Sequence, residues 1–354
     1  MVENQIAVDG RFYINLQQNL RLYEGCGNMI GIVPLTLAGY PEDADFRQDR
    51  ELRRFLAQWG REIRSDSVCV LTGNPVDHAL QGYHFNMTVF EPSGDANDGL
   101  EGGLSTMCGN GVRAVAAFIR TFDPTVQEAR IMTDSGLRRV GIRGDLYSVD
   151  MGELTTARDD LRRYISADGV IGTDSNGRYI DSPVAEPIAR ALDRFHPVKG
   201  WKRSWSIGLT GDRNPDGDID GEPHLVMEIT DASYREPVVL GSLAESMGPD
   251  ITKKGVYFPF EMNANFYSLR GFSDRVLEIV LATHERNLGD DPHHSVTAAC
   301  GTGSTVVGGL LLTRYPDLDT VRVINRGGVL EITRKPGTAN ELIMTGPANE
   351  VQLV

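Results

Sequence analysis

The sequence predicts an α+β chain built as two similar halves, and three observations carry that expectation. Short strand-like runs dominate, interrupted by helix-like segments without the regular βαβ alternation of a doubly wound sheet. In MCGNGVR, Cys108 stands before a glycine-bracketed turn and the apolar run Val112 to Ile119. The arrangement returns in ACGTGSTVVGGLLL, where Cys300 precedes Gly301, Thr302, Gly303 and a second apolar run. Such an echo reads as an internal duplication. If the halves fold alike, the two cysteines can be brought face to face as a two-thiol site.

Taken in order, RFYINLQQNLRL has no clear period, but YEGCGNMIGIVPL places Gly25 and Gly27 around Cys26 and Asn28 at the mouth of a strand. Leu52, Phe55, Leu56 and Trp59 recur at helical spacing, so a helix is expected over Asp49 to Glu62. SVCVLTG and HFNMTVF read as strands, the second alternating with period two. The glycine- and acid-rich EPSGDANDGLEGGLST is a loop that delivers the chain to Cys108. A helix follows from Gly109 to Arg120, ending before Asp123-Pro124. ARIMTDS, LRRVGIR and LYSVDMGE are successive short strands. Thr155 to Trp205 is polar and mixed, with an amphipathic helix expected around Ala185 to Phe195. GEPHLVMEIT reads as a strand, VVLGSLAESMG as a short helix and VLEIVLATHER as a strand. After Cys300 come a helix and the strands VRVIN, VLEITR and ELIMTG.

Composition narrows the function. At 354 residues and 40% apolar content the chain can bury a sizeable core, and its length favours two domains. A formal charge of −14 argues against a nucleic-acid partner, because acidic proteins repel phosphate backbones. MVENQIAVDG has neither a basic nor an apolar leader pattern, and no apolar run approaches the roughly 20 residues that span a bilayer. A soluble cytosolic protein without membrane partners is expected. Cys26, Cys69, Cys108 and Cys300 form no CxxC pair, so neither a structural zinc nor a disulfide is expected, and Cys69 in SVCVLTG reads as a buried apolar residue. DGDIDG, Asp216 to Gly221, opens like a calcium loop, but its twelfth position is Met227 where a carboxylate is required. Asp290 to His294 reads as a solvated loop, and no metal site is assigned.

The pattern CGxG before a helix has a chemical use. A helix N-terminus presents unpaired N–H groups and a partial positive charge, which together hold a carboxylate. The same field favours a thiolate, and glycines let the backbone approach a ligand closely. Two such helix ends aimed at one α-carbon would place a sulfur on each face. One thiolate removes the α-proton, the opposite thiol returns one, and the stereocentre inverts. Amide donors stabilise the enolate-like charge, so no pyridoxal or other cofactor is required.

Beyond the two cysteine motifs, EGCGN, MGE at Met151 to Glu153, GEPH at Gly221 to His224, Glu285-Arg286 and the closing MTGPA at Met344 to Ala348 resemble the diaminopimelate epimerase-like family of cofactor-independent amino-acid racemases and epimerases. The resemblance implies two pseudo-symmetric halves, each a curved sheet around a central helix, with the active site in the interdomain cleft. It implies halves of 1–133 plus 341–354 and of 134–340, the C-terminal strand returning to the first half. Cys108 and Cys300 match the acid/base pair, and Gly109, Asn110, Gly301 and Thr302 the carboxylate cradle. Asn28, Asn263, Glu285 and Arg286 match side chains that hold the substrate. A small-molecule amino acid is the implied ligand, and a homodimer is left open.

The chain also departs from that family. Glu91 and Glu222 stand where the family has asparagines that bind the end of the substrate remote from the reacting carbon, and Met29 replaces an aspartate. The loops from Glu91 to Met107 and from Arg286 to Cys300 are longer than the family's. Two carboxylates would repel a second substrate carboxylate and suit a cation. The sequence thus favours a racemase for a basic amino acid such as lysine, ornithine, arginine or histidine. A diaminopimelate epimerase, an amino-acid binder on the same fold and a dithiol redox protein are the rivals.

Overall fold

A computed structural model describes residues 10–41, 44–73, 82–93, 100–156, 171–173, 179–181, 205–213, 219–252, 262–286 and 296–352. The expected helix at Ala185 to Phe195 and the loop Asp290 to His294 lie outside them. The chain divides into two compact units, Met1–Val149 with Pro347–Val354, and Asp150–Gly346. The division therefore falls inside a strand rather than at 133/134, because the hairpin after Thr133 pairs back on the strand before it. Only the tail from Pro347 returns to the first unit. Among the described residues no helix is long and apolar enough to cross a membrane.

The first unit begins with α1 (Gly10–Asn19), β1 (Arg21–Gly25) and β2 (Asn28–Pro34). Cys26 and Gly27 join the two strands with φ values of 56° and 84°. A two-residue turn with both positions left-handed matches the twist of a hairpin, and it sets Asn28 opposite Gly25. Then come α2 (Arg50–Glu62), β3 (Ser67–Thr72), β4 (Phe85–Glu91), β5 (Gly103–Ser105), α3 (Gly109–Arg120), β6 (Glu128–Thr133), β7 (Gly136–Arg143) and β8 (Leu146–Thr155). The Asp49 carboxylate caps α2 by accepting from the Leu52 N–H at 3.0 Å. The apolar face of α2 packs Leu52, Leu56 and Trp59 with Val33, Val68 and Phe90 of the strands. Each such leucine contributes roughly 2 kcal/mol relative to exposure. Every residue of α3 from Gly109 to Ile119 is buried, as a central helix requires.

The second unit holds β9 (Ile171–Thr173), β10 (Tyr179–Asp181), β11 (Trp205–Arg213), β12 (Ile219–Asp220), β13 (His224–Glu228) and α4 (Pro237–Thr252). β14 (Asn263–Ser273), β15 (Val276–His284), α5 (Gly301–Arg314), β16 (Thr320–Asn325), β17 (Gly328–Arg334) and β18 (Glu341–Pro347) follow, and β19 (Asn349–Val351) closes the chain. α4 lays Leu240, Leu243, Met247 and Ile251 over Leu225, Phe266 and Val280, while α5 packs against β11, β16 and β17. The sequence reading missed β14, whose polar start masks its alternation, and it made α4 too short.

Strand pairing states the duplication more clearly than the sequence does. In the first unit β1–β2 is antiparallel, β2–β3 parallel, β3–β4 antiparallel, β4–β6 parallel, and β6–β7 and β7–β8 antiparallel. In the second, β11–β13, β13–β14, β14–β15, β15–β16, β16–β17 and β17–β18 repeat that series in the same order. Each parallel pair needs a crossover, and each crossover contains a helix. The first is α2 or α4; the second is the cysteine-led α3 or α5. The closing strands match too: β19 pairs with β1, and the end of β8 pairs with β11, both antiparallel.

Candidate active site

Both cysteines cap their helices in the same way. Cys108 (φ −133°, ψ 112°) and Cys300 (φ −92°, ψ 117°) have extended backbones, and each sulfur accepts the N–H three residues on, Gly111 or Gly303, at 3.3 Å. The glycines are needed for space. A Cβ on Gly111 would lie 2.6 Å from the Cys69 sulfur, and one on Gly303 would lie 2.4 Å from Asn265 Oδ1. Cys69 is fully buried behind this turn, as expected, and among the described residues the four cysteines are free thiols.

In the first unit, Asn28 and Asn110 are buried, and Glu91 is partly buried at the end of β4, opposite Gly103. Arg113, one turn into α3, is fully buried. It donates to Asn110 Oδ1 at 2.5 Å and to the Pro347 carbonyl at 2.6 Å, with Nη1 3.9 Å from the Cys26 sulfur. Burial lowers its pKa, opposed by the charges of Cys26, Cys108 and Glu24. The guanidinium thus holds the Asn110 side chain in place and lies within electrostatic reach of Cys108. Sequence reasoning quoted Arg113 within its motif without assigning it a role; an arginine at helical spacing behind a capping cysteine was the available signal.

In the second unit a chain of donors ends on Cys300. Thr283 donates to Asn265 Oδ1 at 2.8 Å, which leaves the Asn265 amide nitrogen to donate to the Leu225 carbonyl and to His224 Nδ1, both at 3.0 Å. His224 is therefore protonated on Nε2, which donates to Thr302 Oγ1 at 3.1 Å. The Thr302 hydroxyl is left to donate to the Cys300 sulfur, 3.4 Å away. Burial holds the His224 pKa down at about 4, so the ring is neutral near pH 7. His224, Asn265 and Thr283 were not assigned from sequence; the polar alternation of Asn263 and Asn265 in β14 was the signal.

The expectation that the helix end lowers both thiol pKa values is corrected at Cys300. Burial pushes this thiol well above the ordinary value, the Glu285 carboxylate adds to the rise, and the Thr302 and Gly303 donors only partly oppose it. At neutral pH Cys300 keeps its proton. Desolvation of a thiolate outweighs the partial charge of one helix end.

Glu222, Asn263 and Arg286 form a closed set. Glu222 Oε1 lies 3.3 Å from Arg286 Nη2, its Oε2 accepts from Asn263 Nδ2 at 2.9 Å, and Asn263 Oδ1 accepts the Arg286 backbone N–H at 3.0 Å. Burial works to raise the Glu222 pKa, but Arg286, His224 and Asn263 outweigh it, and the carboxyl sits below its ordinary value. Glu222, expected from sequence to suit a cation with Arg286 pairing to it or to Glu91, has its charge met within the protein by Arg286. The structure thus places Glu222, Asn263, Glu285, Arg286, Cys300, Gly301 and Thr302 in the second unit, and Asn28, Glu91, Cys108, Gly109 and Asn110 in the first.

The duplicated α+β architecture recurs among solved structures. A PhzF-family phenazine biosynthesis protein of Bacillus anthracis superposes with a TM-score of 0.55 at 15% identity, over 94% of this chain and 96% of that one. No family model matches the sequence. In sequence the chain is 29% identical over 265 residues to the diaminopimelate epimerase of Acidovorax ebreus (strain TPSY), covering 71% of this chain and 73% of that protein. It is 26% identical over 340 residues to that of Leptothrix cholodnii (strain ATCC 51168 / LMG 8142 / SP-6), covering 93% of each. The chain is thus similar to diaminopimelate epimerases, and these relatives support an enzyme of the isomerase class.

Proposed function

We propose that the protein is a cofactor-independent racemase or epimerase that inverts the α-carbon of a free amino acid, with Cys108 and Cys300 as its two acid/base groups. The matched capping geometry carries the reading: the same extended cysteine, the same 3.3 Å sulfur contact and the same following glycine recur in both units. The amides of Gly109, Asn110, Gly301 and Thr302 would hold the substrate carboxylate and the enolate-like charge that develops on it. In the resting state Cys300 holds its proton, which makes it the acid and leaves Cys108 to serve as the base. Cys108 takes the α-proton, the S–H of Cys300 delivers its own to the opposite face, and the two thiols exchange roles until protons redistribute. A reducing compartment such as the cytosol suits an enzyme that needs both thiols free.

The candidate side chains include three carboxylates, Glu91, Glu222 and Glu285, against one guanidinium, Arg286, outside the buried core. Glu91 and Glu222, standing where the resembled family has neutral asparagines, support a substrate whose side chain is a cation. The test is α-proton exchange in D2O with reductant present, followed by NMR for a panel of free amino acids alongside LL-diaminopimelate. Exchange with inversion for a basic amino acid is expected, and Cys108→Ala and Cys300→Ala should each abolish inversion. An alanine variant that inverts at the parental rate would refute the two-thiol mechanism.

A further inference from the structure

Glu222 and Arg286 lie beside the cap of Cys300. Arg286 follows Glu285, whose carboxylate hydrogen-bonds the Cys300 thiol, and Glu222 lies two residues before His224, whose ring reaches Thr302. Each side chain of the pair keeps about a quarter of its surface exposed, so a ligand reaching this layer meets them together. Their hold on one another is end-on. Arg286 Nη2 touches Glu222 Oε1, while Nε of the same guanidinium is buried and has no hydrogen-bond partner. A forked guanidinium–carboxylate contact would have used both. Asn263 supplies the rest of the geometry: its amide nitrogen fixes the carboxylate, its oxygen fixes the Arg286 backbone, and it is itself buried.

From this arrangement we propose that Glu222 is a specificity-determining residue: it occupies Arg286 and so denies a free cation to any substrate whose side chain carries a second carboxylate. The inference deepens the racemase reading and rests on it for the location of the substrate. A guanidinium attracts a carboxylate strongly where water is partly excluded, but Glu222 is a permanent competitor held in place by the segment that leads into β13. A dicarboxylic amino acid would have to displace Glu222 and leave that carboxylate partly buried without its cation. An amino acid lacking the second carboxylate has no such cost. Removal of the Glu222 charge frees Arg286 to receive it.

L-lysine and LL-diaminopimelate are the natural probes, because they differ by one carboxylate on the carbon that bears the distal amine. Calorimetric binding of both is measured on the parent, Glu222→Gln, Arg286→Met and the double variant, with circular dichroism as the check on folding; Glu222→Asn replaces Glu222→Gln if the latter does not fold. In Glu222→Gln the affinity for diaminopimelate relative to lysine should rise about tenfold or more, and the double variant should lose that gain. An unchanged ratio, no detectable diaminopimelate binding to the Glu222 variant, or a gain that survives Arg286→Met overturns the proposal. A purely structural ion pair would lower stability and leave the ratio alone. The α-proton exchange assay separates the two readings: a ratio that shifts in a protein inert toward every amino acid would keep the clamp and discard the racemase.

Discussion

A sulfur at a helix N-cap is pulled two ways, by the amide donors that favour the thiolate and by the desolvation that opposes it. At Cys300 desolvation wins, and Glu285 adds to it, so the Thr302 hydroxyl is the adjustable donor. Thr302→Val keeps the shape and removes that donor. Where Cys300 must act as base, kcat should fall about tenfold or more, with the alkaline limb of the rate profile moved to higher pH and KM little changed. An unshifted profile would mean that the hydroxyl does not face the sulfur. Reactivity in the native state should follow burial. Cys108 is the one cysteine of the four that is not fully buried, so iodoacetamide should modify it first, as peptide mass mapping will show. Faster labelling of Cys300, Cys69 or Cys26 would contradict the burial order.

Elements are positioned here by glycines at which a neighbour comes too close for a side chain. α4 offers a paired experiment. A Cβ on Gly248 would lie 2.1 Å from the His284 ring, whereas one on Gly241 meets nothing within 4 Å. Gly248→Ala should destabilise by roughly 1–3 kcal/mol through overpacking. Gly241→Ala, in the same helix, should stabilise by roughly 0.5–1 kcal/mol through the smaller entropy loss of alanine. Urea unfolding midpoints give both values, and equal effects at the two positions would mean that α4 does not seat against β15 as described. At the site, Gly111→Ala and Gly303→Ala should cost a similar 1–3 kcal/mol and loosen the caps, because the sulfur of Cys69 and the fixed amide of Asn265 have little room to yield.

For the whole molecule, two buried histidines link stability to pH. His224 and His284 both have pKa values pushed down to about 4 by burial. Between the unfolded value near 6.5 and about 4, the unfolded chain binds protons that the folded chain refuses. Stability therefore falls as pH drops through that window and levels off below it, by up to on the order of 3 kcal/mol per histidine. His284 donates or accepts at Nδ1 only toward Thr252, and its Nε2 is unpaired, so His284→Asn should flatten the profile between about pH 6.5 and about pH 4. Urea midpoints for parent and variant across that range provide the measurement. Parallel profiles would mean that His284 titrates normally in the folded protein.

The sequence by itself determined whatever depends on neighbours along the chain. Helix α3 starts at Gly109 and ends at Arg120 as expected, since a cap, a glycine turn and an apolar run are local signals. The cysteine echo and the strands around it were legible for the same reason. Tertiary structure decided what depends on partners far apart in sequence. It made Asn263 and Asn265 of the overlooked β14 the scaffold for Glu222 and His224, because parallel pairing sets β14 beside β13. It gave Glu222 to Arg286, a choice that residue types alone leave open. It also reversed the expected pKa shift at Cys300, since a motif reports the helix end but not the water that folding removes.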